Sequence, residues 1–240
     1  MYVPTPSHLY RHHLYRKLLS RVPADPFLDV GTGFGDVALY LARRGAAGVA
    51  LDYGPEAVAE AKERLAGYGN VEVVEFDFLE YEPDREFALV TLPEILEHVE
   101  DDRAFMEKAA GVLQEGGRVL ISVPARKALW GWRDDVKGHL RRYEREDLDG
   151  LVRGAGFEPE VFWCWGWPFI SALRWMTGRP RLTEDGGAED RTKVSGVHSE
   201  MKPWTRALVN PAATAVPFGI MDLFLSGDWG VGYVVLARKP

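Results

Sequence analysis

The strongest constraint on the fold is a regular alternation of short apolar runs and helical segments between residues 27 and 124. Each apolar run has the length of a buried strand, and most of the segments between them have helical spacing and end near a glycine. Strands that alternate with helices form parallel pairs joined by right-handed crossovers, so helices cover both faces of the sheet. The sequence therefore predicts an α/β fold with a doubly wound, mostly parallel sheet.

The length of the chain and the spacing of its last strands predict one domain with an insertion. A chain of 240 residues is long enough for one large α/β domain with a substantial core. We expect a lead-in helix within residues 1–23 and a sheet built from residues 24–165 together with a last strand in 230–240. The intervening residues 166–229 are too many for an ordinary loop and predict an inserted cap, or lid.

Charge and cysteine content narrow the classes of function. The net charge of −7 argues against a nucleic-acid partner, which requires a basic surface. The single cysteine, Cys164, excludes an internal disulfide and fits a reducing compartment. Because the N-terminal segment lacks the apolar core of a signal peptide, we expect a cytoplasmic protein. The apolar run 207–225 contains Asn210 and Asp222 and is therefore not a credible membrane span. It favours packing within the cap, with a hydrophobic acceptor pocket or a peripheral membrane contact as the alternative.

The segment FLDVGTGFGD, residues 27–36, predicts a ligand-binding turn between the first strand and the helix that follows it. Ligands of open parallel sheets bind beyond the carboxyl ends of the strands, where this turn lies. Three glycines let its backbone approach a ligand closely: Gly31, Gly33 and Gly35. Asp36 stands where a dinucleotide fingerprint has its third glycine, and Asp29 precedes the turn, so a cationic ligand is favoured over a pyrophosphate.

Two further aspartates end the next two predicted strands. Asp52 lies 21 residues after Gly31, a spacing that suits a carboxylate binding ribose hydroxyls. Asp77 can accept a hydrogen bond from the exocyclic amine of a purine. A ligand with a ribose, an adenine and a positive charge, but no phosphate, is S-adenosylmethionine.

With these features the sequence resembles the class I S-adenosylmethionine-dependent methyltransferases. The matching motifs follow the family's order and spacing over roughly residues 25–165 and the last strand: LDVGTGFG, ALDYG, EFDF, LEHVEDD and VLQEGGRVLISVP. The resemblance implies a Rossmann-like, seven-stranded sheet, with Asp29 and the glycine turn at the methionine end of the cofactor. The cofactor-binding residues that it implies are Asp29, Gly31, Thr32, Gly33, Gly35, Asp52, Tyr53, Asp77, Phe78 and Leu92.

The segment TLPEILEHVEDD, residues 91–102, places several ionisable side chains after the fourth predicted strand. Glu94, Glu97 and His98 are spaced i, i+3, i+4, which would put them on one face of a helical turn. Together with His139 they resemble the cation ligands of the O-methyltransferases of ubiquinone synthesis and of the small-RNA 2′-O-methyltransferases. This resemblance implies a bound Mg²⁺ or Mn²⁺ beside the accepting hydroxyl. The segment could instead form only a pocket wall, since LEHV also occurs in metal-free relatives.

The candidate catalytic residues are His139, His98 and Tyr143. Methyl transfer from a sulfonium is an in-line displacement, so placing the nucleophile and excluding water matter most. A base, or a cation that lowers the pKa of an acceptor hydroxyl, adds further rate. We expect a small-molecule acceptor, hydrophobic or aromatic, and O-methylation, with N- or C-methylation and a lipid or glycolipid acceptor as alternatives. A nicotinamide-dependent reductase and a non-catalytic cofactor-binding scaffold are the rival classes.

Overall fold

The computed structural model describes residues 5–176 and 211–240, whose strands form a single sheet. The strands are β1 (Phe27–Val30), β2 (Gly48–Asp52), β3 (Val71–Glu75), β4 (Phe87–Pro93), β5 (Leu113–Pro124), β6 (Glu158–Trp165) and β7 (Gly232–Arg238). The α-helices of these residues are α1 (Pro6–Leu19), α2 (Asp36–Arg43), α3 (Pro55–Leu65), α4 (Asp102–Val112), α5 (Trp132–Lys137), α6 (Arg145–Gly154), α7 (Phe169–Met176) and α8 (Pro211–Asp222). A short 3₁₀ helix spans Lys127–Leu129.

The sheet has the strand order β3-β2-β1-β4-β5-β7-β6. Strands β1 to β5 are parallel to one another, whereas β7 lies antiparallel between β5 and β6. The carboxyl ends of β1, β2 and β4 therefore meet at one edge, and the segments that follow these strands share that edge. This topology confirms the predicted doubly wound, seven-stranded and mostly parallel sheet.

Consecutive residues of the central strands enter two different cores. Leu89 and Leu120 pack on the face covered by α1, α2 and α3, while Val90 and Ile121 pack on the face covered by α4 and α6. Side chains alternate between the two faces of a strand, so a sheet covered on both sides needs apolar residues at every position. This explains why the strands are continuous apolar runs in the sequence.

Two element boundaries differ from the sequence prediction. Strand β3 ends at Glu75, so Asp77 lies in the turn that follows the strand. The helical segment before β5 was expected to end near a glycine, but α4 ends at Val112 and Gly116 lies within the long strand β5. The strand accommodates this segment through a register shift, because Phe87 pairs with Leu113 whereas Leu89 pairs with Arg118.

The described parts of the insertion pack beside α1. The Tyr10 and Phe218 rings lie 4.9 Å apart, and Asp222 at the end of α8 accepts hydrogen bonds from Tyr10 and Lys17 at 2.9 and 2.6 Å. Residues 177–210, the middle of the predicted cap, lie outside the described residues, so the insertion's role as a cap stays a prediction. Over residues 5–176 and 211–240, no helix is both long and apolar enough to cross a bilayer.

Candidate active site

The glycine turn joins β1 to α2 and has left-handed backbone at all three glycines. The φ angles of Gly31, Gly33 and Gly35 are 63°, 53° and 73°, a region that side chains with a Cβ rarely adopt. At Gly31 a Cβ would also lie 1.9 Å from Cδ1 of Ile95, so any other residue there would displace the Ile95 side chain. At Gly33 a Cβ would have no heavy atom within 4 Å, so the backbone there faces open space. The turn can therefore receive a ligand close to its main chain.

Asp29 lies at the base of this turn and is fully buried. Its Oδ2 accepts a 2.7 Å hydrogen bond from the hydroxyl of Thr32, and its Oδ1 accepts one from the hydroxyl of Thr91 on β4. Burial raises the pKa of Asp29 to about 6, although these hydrogen bonds oppose the increase. The carboxylate is therefore mostly ionised at neutral pH and poorly solvated, which favours a cationic partner.

The other predicted cofactor residues differ in exposure. Oδ2 of Asp52 accepts a hydrogen bond from the N–H of Gly33 and Oδ1 one from the N–H of Gly54, both at 2.9 Å, which joins the end of β2 to the glycine turn. Asp77 is exposed and accepts a hydrogen bond from its neighbour in the turn, and Tyr53 is 67% exposed. The side chains of Phe78 and Leu92 are instead buried in the core. The structure thus brings Asp29, the turn and Asp52 together at one edge of the sheet.

The segment after β4 forms turns rather than the helical turn that its spacing suggested. Glu94 has a φ of 58°, a left-handed conformation that is uncommon for a residue other than glycine. Its N–H donates to the carbonyl of Ser122 at 2.9 Å, and its carboxylate accepts from Arg11 Nη1 at 2.6 Å and from the Ser122 hydroxyl at 3.0 Å. Glu94 therefore faces α1 and β5, and nothing local in the sequence indicated Arg11 or Ser122 as its partners.

Glu97, His98 and His139 lie together beside this segment. One ligand atom from each of the three residues lies within 4.8 Å of the other two. Oε1 of Glu97 is 4.0 Å from Nε2 of His139, and the rings of His98 and His139 are 4.9 Å apart and nearly perpendicular. The structure therefore brings together three of the four predicted cation ligands, and Glu94 is not in this group.

The environment of these groups changes their protonation. Glu97 is fully buried, and among the described residues neither of its carboxylate oxygens has a hydrogen-bond partner. Burial and the nearby Glu94 carboxylate raise the pKa of Glu97 well above its usual value. Burial and the neighbouring His139 lower the pKa of His98 to about 4, so this imidazole is neutral at neutral pH. A neutral imidazole beside a buried carboxyl group can bind a cation or accept a proton.

Tyr143 occupies a different position. Its ring is buried in the core that contains Leu148, and its hydroxyl lies 3.0 Å from the carbonyl of Leu96 and 2.7 Å from Oδ2 of Asp102. Tyr143 thus connects the segment after α5 to the segment after β4. Asp102 is the first residue of α4, and the preceding Asp101 caps this helix through a 2.9 Å hydrogen bond from the N–H of Ala104.

The chain was also compared with known proteins. A family model described as a methyltransferase domain matches residues 8–160. A probable S-adenosylmethionine-dependent methyltransferase of Mycobacterium tuberculosis is 30% identical over 156 residues, which cover 63% of this chain and 56% of that protein. A ubiquinone biosynthesis O-methyltransferase of Xanthomonas euvesicatoria is 36% identical over 98 residues, 40% of this chain and 41% of that protein. The chain thus spans only about half the length of these relatives.

A solved structure has the same fold over nearly the whole chain. The N-methyltransferase NodS from Bradyrhizobium japonicum, in complex with S-adenosylhomocysteine, superposes with a TM-score of 0.61 at 16% sequence identity and covers 98% of this chain and 89% of that one. These findings confirm the resemblance on which the sequence prediction rested. The family match covers more than half of the described residues, from α1 through the glycine turn to β6. The chain belongs to the family of methyltransferase domains, within the class I S-adenosylmethionine-dependent fold.

Proposed function

We propose that the protein transfers a methyl group from S-adenosylmethionine to a hydroxyl group of a small hydrophobic or aromatic acceptor. The observation that carries this proposal is the contact of Ile95 with Gly31. Ile95 stands between Glu94 and Glu97, so the contact joins the segment with the ionisable cluster to the cofactor turn. A ligand on the turn would then have its reactive end near His98 and His139.

In this proposal each part of the turn binds one part of the cofactor, which supplies the transferable methyl group. Asp29 and the backbone at Gly33 would hold the charged methionine end, since a buried carboxylate and open main chain suit an ammonium group. Asp52 would accept hydrogen bonds from the ribose hydroxyls, and Asp77 one from the adenine amine. The buried Phe78 and Leu92 would support the pocket from within the core.

The acceptor hydroxyl would lose its proton to an imidazole. His98 is neutral at neutral pH because of its burial, which fits the role of a base. His139 lies beside it, and either ring could accept the proton. Tyr143 would act by holding the segment that carries His139, since its hydroxyl contacts Asp102.

A divalent cation is the second part of the proposal. Glu97 fits such an ion, because a fully buried carboxyl group with two unpartnered oxygens needs a proton or a cation to be stable. His98 and His139 would then bind Mg²⁺ or Mn²⁺ instead of acting as bases, and the ion would lower the pKa of the acceptor hydroxyl so that its proton passes to solvent. Glu94 would stay outside the site as long as Arg11 holds it. The similarity to ubiquinone biosynthesis O-methyltransferases supports this reading over N-methylation.

A lipid or glycolipid acceptor is the alternative substrate class. It is favoured by large apolar side chains that are exposed on the insertion and its flank: Trp167, Phe169, Trp175, Val216 and Leu223. Trp175 is 86% exposed. These side chains would contact a membrane surface or a long apolar acceptor.

Calorimetric titration with S-adenosylhomocysteine tests the cofactor part of the proposal. We expect the protein to bind it and not NADH, and D52N to weaken binding about tenfold or more, the usual cost of losing a charged hydrogen-bond acceptor. D149N removes an exposed carboxylate of α6 and serves as the control, with unchanged affinity expected. A folded protein that binds NADH but not S-adenosylhomocysteine would be a reductase instead.

Transfer of a radiolabelled methyl group tests the acceptor part. We expect label on a 4-alkylcatechol but not on the matched 4-alkylaniline, and less label once a chelator removes divalent cations. Label on the aniline alone would contradict O-methylation and leave the transferase intact. Equal transfer with and without the chelator would remove the cation from the proposal.

A further inference from the structure

The ring of His139 contacts a buried carboxylate, that of Asp134, on the side opposite Glu97. The proposed reaction assigns no role to Asp134. Helix α5 ends at Lys137, and the φ of 70° at the following Gly138 turns the chain so that the N–H of His139 donates to the carbonyl of Asp134 at 3.0 Å. The same turn places Nδ1 of His139 2.8 Å from Oδ1 of Asp134. Both side chains are at least 95% buried, so water does not compete for this contact.

Asp134 is in turn fixed by two other donors. Nε and Nη2 of Arg142 both lie 2.9 Å from its Oδ1, and the N–H of Gly131 donates to its Oδ2 at 2.9 Å. Arg142 is itself buried, and its Nη1 donates to the carbonyl of Ala125 at the end of β5. Since its two oxygens accept from a guanidinium and from a backbone N–H, the side chain is a carboxylate.

The charge state of Asp134 decides which nitrogen of His139 carries the proton. A carboxylate can only accept hydrogen bonds, so the Nδ1 that faces it must be the donor. In a neutral imidazole the other nitrogen, Nε2, then has a free lone pair. Nε2 is the atom of His139 that lies 4.0 Å from Glu97, beside the ring of His98.

We propose that Asp134, backed by Arg142, is a positioning residue that fixes His139 in its Nδ1–H tautomer and directs an unprotonated Nε2 towards Glu97. What Nε2 does there, whether it takes a proton or binds a cation, rests on the proposed function. Helix capping alone does not account for this arrangement. The cap uses Oδ2 through Gly131, whereas Oδ1 is shared by His139 and Arg142, a buried arginine that forms no other ion pair with the described residues.

The tautomer is measured directly by NMR. In protein labelled with ¹⁵N-histidine, the ring nitrogens of His139 are assigned by comparison with H139Q and observed at pH 8 without added metal. We expect a protonated Nδ1 and an unprotonated Nε2. A proton on Nε2, or an equal mixture of the two tautomers, would overturn the proposal. This result needs no folded Asp134 variant.

A pair of variants separates positioning from folding. D134S removes the acceptor of Nδ1, and we expect His139 to lose its tautomer preference. D102S is the matched control, because Asp102 holds the same segment through Tyr143 and Arg141 but does not contact His139. It should keep the Nδ1–H tautomer even where its thermal midpoint falls as far as that of D134S. Loss of the tautomer in both variants would mean that the segment's general order sets it, and would overturn the role of Asp134.

The outcome is independent of the proposed function. Binding of S-adenosylhomocysteine to the same samples reports on the cofactor site, which is built from other residues. An Nδ1–H tautomer in a protein that does not bind this nucleoside would uphold the positioning role and refute the methyltransferase. A protein that binds S-adenosylhomocysteine but has its His139 proton on Nε2 would uphold the cofactor site and refute the positioning role of Asp134.

Discussion

At the scale of single residues, Asp29 shows a conflict between stability and ligand binding. A buried aspartate with a raised pKa binds its proton more tightly in the folded state, so its contribution to stability is full below pH 4 and is lost as the pH rises through 6. Since one pKa unit corresponds to about 1.4 kcal/mol, the ionised carboxylate costs the folded protein roughly 2–3 kcal/mol at pH 8. A binding site can tolerate this loss of stability when the buried charge is needed to bind the ligand.

We expect D29N to be at least as stable as the wild type at pH 8 and to bind S-adenosylhomocysteine at least tenfold more weakly. The amide avoids the cost of burying a charge, but it cannot attract the ammonium group of the ligand. Thermal unfolding at pH 5 and pH 8, with calorimetric titration, measures both effects. A variant with lower stability and unchanged affinity would show that Asp29 serves the fold alone.

Glu94 and Glu97, the two glutamates after β4, should affect stability in opposite ways when each is replaced by glutamine. Glu97 has a raised pKa, so its neutral form is favoured in the folded state and stability falls as the pH rises through that pKa. Although burial opposes it, the Arg11 guanidinium lowers the pKa of Glu94, so its ion pair contributes stability above pH 4.5 that is lost in acid.

With a chelator present at pH 8, we expect E97Q to raise the thermal midpoint and E94Q to lower it. E97Q removes the free-energy cost of either protonating Glu97 or burying its charge at pH 8, whereas E94Q removes the carboxylate that pairs with Arg11. Scanning calorimetry from pH 5 to pH 8 should show the E97Q difference shrinking towards acid, whereas the E94Q difference should stay constant because Glu94 remains ionised over this range. Added Mn²⁺ should stabilise the wild type and not E97Q. Destabilisation by E97Q under chelation would contradict the account of Glu97 as an unpartnered carboxyl group.

At the scale of elements, α1 connects the insertion to the site. Its Tyr10, His13 and Lys17 all contact Asp222 on α8, while Arg11 on another side of the helix contacts Glu94. The Tyr15 hydroxyl lies 2.5 Å from that of Ser122, which also bonds Glu94. Movement of α8 would therefore be transmitted to Glu94 through a single helix.

We expect D222A to lower the thermal midpoint by several degrees and to increase cleavage of the insertion in limited proteolysis. Asp222 is only 17% exposed and accepts three contacts, so its loss leaves Tyr10 and Lys17 without their partner. D84A is the control, because it removes an ion pair whose members are both largely exposed, and no measurable change is expected. An equal proteolysis rate in the two variants would show that α8 is held by its apolar contacts instead.

Much of this architecture follows from local sequence, but the contacts between elements do not. The glycine turn and the aspartates of β1 and β2 were predicted because their spacing reflects backbone geometry within strand-turn-helix units. The helical spacing of Glu94, Glu97 and His98 predicted a helical turn, and this prediction was wrong. Glu94 has left-handed backbone instead, and its side chain contacts Arg11 and Ser122. Asp134 stands five residues from His139, and no periodic pattern indicates that Gly138 folds the two together. Pairings of this kind depend on tertiary packing.

At the scale of the whole molecule, the last strand completes the sheet. Strand β7 pairs along its full length with β5 on one side and β6 on the other, and six of its seven residues are buried. The sheet thus depends on residues 230–240 returning to lie between β5 and β6 after the insertion. The two cores on its faces both receive side chains from this strand, among them Val235 and Val234.

A chain that ends at residue 229 should therefore lose its cooperative thermal transition and its binding of S-adenosylhomocysteine, even though it retains every predicted cofactor residue. The missing strand would expose the edges of β5 and β6 and the apolar side chains of both cores. The free energy lost through this exposure exceeds the roughly 5–15 kcal/mol by which a typical domain is stable. V235A provides the graded comparison, because removing buried methyl groups costs about 2 kcal/mol and should lower the midpoint by several degrees while binding persists. Calorimetry and circular dichroism measure both variants. A cooperative, ligand-binding protein without β7 would show that residues 1–229 fold without this strand, and would refute the prediction that the core requires its last strand.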